Sequence, residues 1–253
     1  MSSIAASAAS AYSPMQGEFA GATAAGATVS RPDERAQLIR RTLSALVLAP
    51  VALLFIHLGS VWFQFMIAAL AVAMGWEWAR LVPRAPERER FGWSVFGVVY
   101  VAVPCLAVLW LRDGAAFGRE TVMWLAVTVW TTDMAAFACG KIIGGPRLMP
   151  SVSPAKTWAG FAGGLAGAVA VSAALVAFFE LETTGFGAAL GFGVGLVAQG
   201  GDLLESALKR RFGVKDTGTL IPGHGGVLDR LDAVLTAAPF VAALVWLNGG
   251  RLP

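Results

Sequence analysis

The feature that leaves this chain fewest options is a series of apolar runs, each long and all close together. They cover Thr42–Leu58, Val61–Trp78, Phe91–Leu111, Thr121–Gly140, Thr157–Phe179, Phe186–Gln199 and Ala233–Leu247. A bilayer core asks for roughly 20 apolar residues in a helix, and water-soluble domains do not repeat runs of that length. Charged residues make up only 14% of the chain and hydrophobic ones 57%, against about 25% charge in soluble domains. Mean hydropathy is +0.67. The expectation is an all-α polytopic integral membrane protein, about seven transmembrane helices in a bundle, the first two of which could form a single re-entrant pair. Glycines crowd the fifth and sixth runs (Gly160, Gly163, Gly164, Gly167, Gly187, Gly191, Gly193, Gly195). Small residues of this kind let membrane helices approach closely. Both cysteines, Cys105 and Cys139, lie inside apolar runs, which excludes a disulfide framework or a cysteine-rich zinc site and suits small buried hydrophobes.

Residues 1–37 are rich in Ala, Ser, Gly and Thr without apolar periodicity, so a disordered cytoplasmic tail is expected, with a transmembrane catalytic domain over 38–253. No basic segment precedes a compact apolar core, and a cleaved signal peptide is therefore not expected. Basic residues alternate between the connections. With the tail placed in the cytoplasm, sixteen of the nineteen Lys and Arg fall on that side, leaving Arg112, Arg119 and Arg251 outside. By the positive-inside rule this orients the chain in a bacterial-type inner or plasma membrane.

Chemistry is concentrated in residues 199–232, QGGDLLESALKRRFGVKDTGTLIPGHGGVLDRLD, at the predicted cytoplasmic face. Asp202, Glu205, Ser206 and Lys209 are spaced to share one helix face, at the end of the sixth run. Asp229 and Asp232 repeat the three-residue step at the start of the seventh. Two neighbouring antiparallel helices could bring these carboxylates together, and clustered carboxylates repel unless a cation lies between them. Oxygen ligands without cysteine suit Mg²⁺, which commonly takes one or two carboxylates plus substrate phosphates. Between the pairs lies Pro222-Gly223-His224-Gly225-Gly226, a loop whose backbone amides could cradle a phosphate. Lys209, Arg210, Lys215 and Arg230 would neutralise further phosphate charge. These are parts used in phosphoryl and nucleotidyl transfer. The bland alternative is a solvated loop with interfacial caps, and for His224 alone a phosphate contact, a loop hydrogen bond and an idle side chain stay open.

Three further places stand out. Asp133 lies within the fourth run, where an ionisable residue is costly and functional by default unless it is paired with a base at a helix end. Ser153 and Lys156, in SVSPAKTW, precede the fifth run and make either an anion site or ordinary helix caps. Glu77, in Trp76-Glu77-Trp78, reads as an interfacial anchor between aromatic-belt tryptophans.

Ser206-Ala207-Leu208-Lys209-Arg210, Lys215-Asp216, Pro222 to Gly226 and Asp229-Arg230-Leu231-Asp232 together closely resemble the C-terminal motif of the phosphatidate cytidylyltransferases. Ser153 to Trp158 and Asp133 look like that family's upstream motifs. The resemblance runs from about residue 38 to the end. Ala159 and Ala233 depart from its commonest form, which has Glu and often Ser there, and Met134 replaces a small or β-branched residue. The resemblance implies that phosphatidic acid and CTP give CDP-diacylglycerol and pyrophosphate, with Mg²⁺ required and a second, monovalent cation left open. It carries metal ligation onto Asp202 and Asp229, and further onto Asp216 and Asp232. Asp202, Asp229, Lys209 and Asp133 would be the catalytic set. Ser153, Lys156, Ser206, Arg210, Lys215, Gly223, His224, Gly225, Gly226 and Arg230 would bind substrate phosphates. The partners are then CTP, phosphatidic acid and membrane lipids, with no nucleic acid and a homodimer left open. A CTP-dependent polyprenol kinase shares the chemistry but must deprotonate an alcohol. A transporter fits less well, because the polar residues crowd one face and no pair of broken helices recurs in two halves.

Overall fold

The computed structural model describes residues 47–181, 184–221 and 225–252; the tail assigned to residues 1–37 and the positions Gly223 and His224 lie outside them. Seven helices follow in chain order: α1 (Val47–Leu58), α2 (Ser60–Leu81), α3 (Glu87–Asp113), α4 (Gly118–Ile142), α5 (Trp158–Phe178), α6 (Thr184–Arg211) and α7 (Leu228–Leu247). Six of them, α2 to α7, are long and apolar enough to cross a bilayer. Helix α1 falls within the apolar run predicted from Thr42, which is described only from Val47. The architecture is a multi-pass all-α membrane bundle. Its one sheet among the described residues is a small antiparallel hairpin between α4 and α5, β1 (Arg147–Met149) with β2 (Ser153–Thr157).

The glycines of the fifth and sixth runs explain how α5 packs. It lies between α4 and α6, its most extensive neighbours. A methyl group on Gly160 would come within 2.8 Å of the Ala136 carbonyl oxygen, and one on Gly195 within 2.7 Å of Ala168 Cβ. Only glycine permits these approaches, and in lipid such close contact supplies the dispersion attraction that water exclusion cannot. A buried hydrogen-bond chain links three of the helices. Trp124 Nε1 donates to Ser172 Oγ at 2.9 Å, and that hydroxyl donates to the Gly187 carbonyl at 2.6 Å, joining α4, α5 and α6. Cys139 lies against Gly163, as a small packing residue.

Helices that run up and down leave their connections at two ends. At one end Arg112 Nε donates to the Ile56 carbonyl at 2.9 Å and Ala116 N to the Gly250 carbonyl at 2.8 Å. The end of α2, the start of α3, the hairpin, the end of α6 and the start of α7 meet at the other. Arg211 pairs there with Glu89 at 2.7 Å, and Arg210 Nε donates to the Val152 carbonyl at 3.3 Å. Helix α6 runs well past the apolar stretch, so the whole sequence from Asp202 to Lys209 is helical. Asp229 lies in the first turn of α7.

Candidate active site

Three carboxylates converge where α6 and α7 meet. Asp202, Glu205 and Asp232 each offer an oxygen within 4.8 Å of the other two. Asp202 and Glu205 come from one face of α6, and Asp232 arrives one turn into α7. The approach is set by Gly201, where a Cβ would meet the Asp232 carbonyl oxygen at 2.9 Å, and by Thr236, whose hydroxyl donates to the Val197 carbonyl across the helix pair at 3.1 Å. Lys156, from β2, forms an ion pair with Asp202. Lys209 reaches Glu205 at 2.8 Å and Asp229 at 3.0 Å. Three carboxylates thus meet two lysines in these contacts, and Asp232 adds a fourth beside them. The residual negative charge, all on oxygen ligands, fits a hard divalent cation.

Asp229 stands apart from the trio. Its carboxylate accepts from Thr217 N at 2.9 Å and Gly226 N at 2.8 Å as well as from Lys209. It therefore holds the loop before α7 against α6, and the carboxylate that groups with Asp202 and Asp232 in this geometry is Glu205. That residue shares the face with Asp202 by its three-residue spacing, the cue that identifies it in the sequence. Asp216 is exposed on the loop and outside the trio.

A cavity of about 620 Å³ opens over the carboxylates, lined among others by Asp133, Lys156, Asp202, Lys209, Asp216, Asp229, Arg230 and Asp232. Asp133, inside α4, thus faces the same space as the α6 and α7 carboxylates. The structure does not bring Ser153, Ser206, Arg210, Lys215, Gly225 or Gly226 to this lining. Ser153 lies in β2 and Ser206 on α6, while Arg210 caps the hairpin. Lys215 and Gly225 line a second cavity beyond the loop, and Gly226 N is bound to Asp229.

The Trp76-Glu77-Trp78 sequence does not form an interfacial anchor. Trp76 is exposed, but Trp78 is buried, donating to the Trp93 carbonyl at 2.8 Å, and Glu77 is only 2% exposed. Glu77 accepts from Val227 N and Leu228 N, both at 2.9 Å, and from the Thr217 hydroxyl at 3.4 Å. An acidic side chain on α2 thus takes up orphan amides and the positive dipole end at the N-terminus of α7. Gly218 and Gly226 pack on this carboxylate, where a Cβ would lie 2.5 and 2.6 Å from its oxygens. Its cue was the one that singled out Asp133, an ionisable residue within an apolar run. In Glu77→Gln an NH₂ group must face one of the two amides. The expected result is a loss of about 1–3 kcal/mol in stability, read as a lower Tm in detergent, with turnover reduced because the loop bearing Asp216 and Thr217 loses its anchor. An unchanged Tm would show that the amides find other partners.

The profile of the cytidylyltransferase family matches residues 39–116 and 88–248. The chain belongs to the cytidylyltransferase family. Among curated members, the phosphatidate cytidylyltransferase of Brucella suis is 41% identical over 186 residues, which cover 73% of this chain and 64% of that protein. That of Rickettsia felis is 33% identical over 217 residues, 81% of this chain and 91% of the relative. The Bacillus subtilis protein of the same name is 33% identical over 186 residues, 72% and 68% of the two chains. Against the Brucella protein this cytidylyltransferase-family chain therefore spans under two thirds of the relative's length. Nearly all the residues described above, from Glu77 to Asp232, lie inside the matched segments.

Proposed function

We propose that the chain is a phosphatidate cytidylyltransferase, converting phosphatidic acid and CTP into CDP-diacylglycerol and pyrophosphate. Residues 38–253 are the catalytic unit in this reading, and the carboxylate face is turned to the cytoplasm, as the sixteen basic residues on that side favour. One observation carries it: a single cavity at one end of the bundle gathers Asp202, Asp229 and Asp232 with three lysines and two arginines, Lys141, Lys156, Lys209, Arg147 and Arg230. Such a site suits a triphosphate and a lipid phosphate meeting at a membrane face.

Asp202, Glu205 and Asp232 would hold Mg²⁺, which when bound supplies positive charge against the triphosphate oxygens. A monovalent cation beside it would find further oxygen ligands in the same cavity. The protein's own cations do the rest. Lys156 and Arg230 both line the cavity and can each bind a phosphate oxygen, while Lys209 keeps Glu205 and Asp229 in place. Phosphatidic acid brings its own anionic nucleophile near neutral pH, so no strong base is required. An oxygen of its phosphate bonds to the α-phosphorus of CTP as the bond to the β-phosphate oxygen breaks, and the electron pair leaves with pyrophosphate. Rate then comes from alignment and from charge neutralisation of the phosphates. Asp133, which lines the cavity with Lys156 and Arg230, would restrain these two cations.

Incubating purified protein with phosphatidic acid, Mg²⁺ and each nucleoside triphosphate in turn tests the proposal. The expected result is release of pyrophosphate with CTP and formation of a nucleotide-linked lipid. Formation of CDP with a phosphorylated alcohol would instead identify transfer of the γ-phosphoryl group to a polyprenol.

A further inference from the structure

A second cavity, of about 910 Å³, is lined by residues 213–221 of the loop between α6 and α7. It takes Trp76, Arg80 and Arg84 from the end of α2 and the turn after it, and Lys215, Thr217 and Thr219 from the loop. Asp216 and Arg230 line both cavities, so one loop forms the wall between them.

The charges here are unbalanced. Arg84 and Lys215 are exposed and have no ion-pair partner among the described residues. Arg80 lies over the Trp76 ring at 5.9 Å, which holds the guanidinium without neutralising it. Of the two carboxylates in the lining, Glu77 is occupied by the Val227 and Leu228 amides and the Thr217 hydroxyl. Among the described lining residues Asp216 then remains to answer Arg80, Arg84 and Lys215. A basic residue serving only to orient the chain in the membrane needs no concave setting; Arg88, in the first turn of α3, has a side chain 86% exposed and lies outside the cavity. Arginines grouped with hydroxyls around a hollow match the oxygens of a phosphate, which guanidinium groups bind in pairs of hydrogen bonds.

We propose that this hollow is a second anion site, which recognises a phosphate ester. The phosphate belongs either to a lipid headgroup at the membrane face or to the nucleotide. These two ligands are named on the strength of the function proposed above; the charge argument does not depend on it. Because Asp216 and Arg230 face both spaces, a ligand seated here bears directly on the wall of the catalytic cavity.

Arg84→Gln and Arg88→Gln each remove one charge from the same end of the bundle, and both residues are exposed, so the fold should tolerate either. Two binding readouts are made on the full chain in detergent without turnover: equilibrium dialysis of CTP, and retention of phosphatidic acid against phosphatidylcholine by native mass spectrometry. Arg84→Gln should weaken one of the two by about tenfold, the value of one charge-assisted hydrogen bond, and the double variant Arg80→Gln/Arg84→Gln should weaken it further. Arg88→Gln should stay within about twofold of wild type, the range left for an exposed charge. A loss confined to phosphatidic acid assigns the hollow to the lipid headgroup, and a loss confined to CTP assigns it to the nucleotide. The proposal is overturned if the double variant binds both ligands like the wild type, if Arg88→Gln loses as much as Arg84→Gln, or if the wild type binds neither ligand. Absence of pyrophosphate release by a wild type that still shows the Arg84-dependent binding would sink the proposed reaction and leave this site standing.

Discussion

Asp202→Asn should lower turnover by about a hundredfold or more, equivalent to about 3 kcal/mol or more on the barrier. Asp202 belongs to the carboxylate trio and is paired with Lys156. The amide keeps the size and one acceptor oxygen but removes a negative charge, and charge is what lets an oxygen ligand compete with water for a cation as reluctant to dehydrate as Mg²⁺. The concentration of Mg²⁺ giving half-maximal rate should rise, and high Mg²⁺ should restore part of the activity. Asp232→Asn should behave likewise. Asp229→Asn separates the two kinds of carboxylate at this site. Its oxygens are taken by Lys209 and two backbone amides, so the amide variant should lose stability and activity without rescue by Mg²⁺. Near-normal turnover of Asp202→Asn at low Mg²⁺ would remove the trio from consideration as a cation site.

The largest loss of stability should come from Lys209→Met. Lys209 lies between Glu205 and Asp229, whose side chains are 2% and 4% exposed. Methionine keeps the length of the stem and deletes the ammonium group, leaving two buried carboxylates facing each other without it. Removing one partner from a buried ion pair typically costs about 3–5 kcal/mol, most of it from the charge left behind. Thermal unfolding in detergent should show a large drop in Tm. Lys209→Met combined with Glu205→Gln should recover part of it, because the second change removes one uncompensated charge. A single variant that melts like the wild type would mean that Glu205 and Asp229 are neutralised by other means.

The periodicity of the helices accounts for much of what could be read in advance. Asp202, Glu205 and Lys209 share a face because 3.6 residues make a turn, so their grouping needs no tertiary knowledge once Thr184–Arg211 is helical. The glycines on α5 and α6 likewise signal close packing, and Gly160 and Gly195 do face Ala136 and Ala168. Periodicity does not say how far one helix is rotated about its axis relative to the next. That rotation is fixed by the contact of Gly201 with the first turns of α7 and by the Thr236 hydroxyl, and it decides that Asp232 joins Asp202 and Glu205 while Asp229 turns toward the loop amides.

Chain order alone could not reveal Glu77 as the anchor of α7, since 150 residues separate it from Val227. Nor could it reveal the pairing of Lys156 with Asp202. The sequence by itself determined the class of fold, the seven apolar runs (six of which are long spans in the structure) and the end of the bundle where polar residues gather, because these follow from the hydropathy of continuous segments and from the distribution of charge between them. Which carboxylates converge, which lysine answers which acid, and the division of the polar end into two cavities by one loop were decided only by the tertiary structure. Such contacts depend on the distance and direction of side chains from different helices, and those are set by packing between segments rather than by any pattern within one.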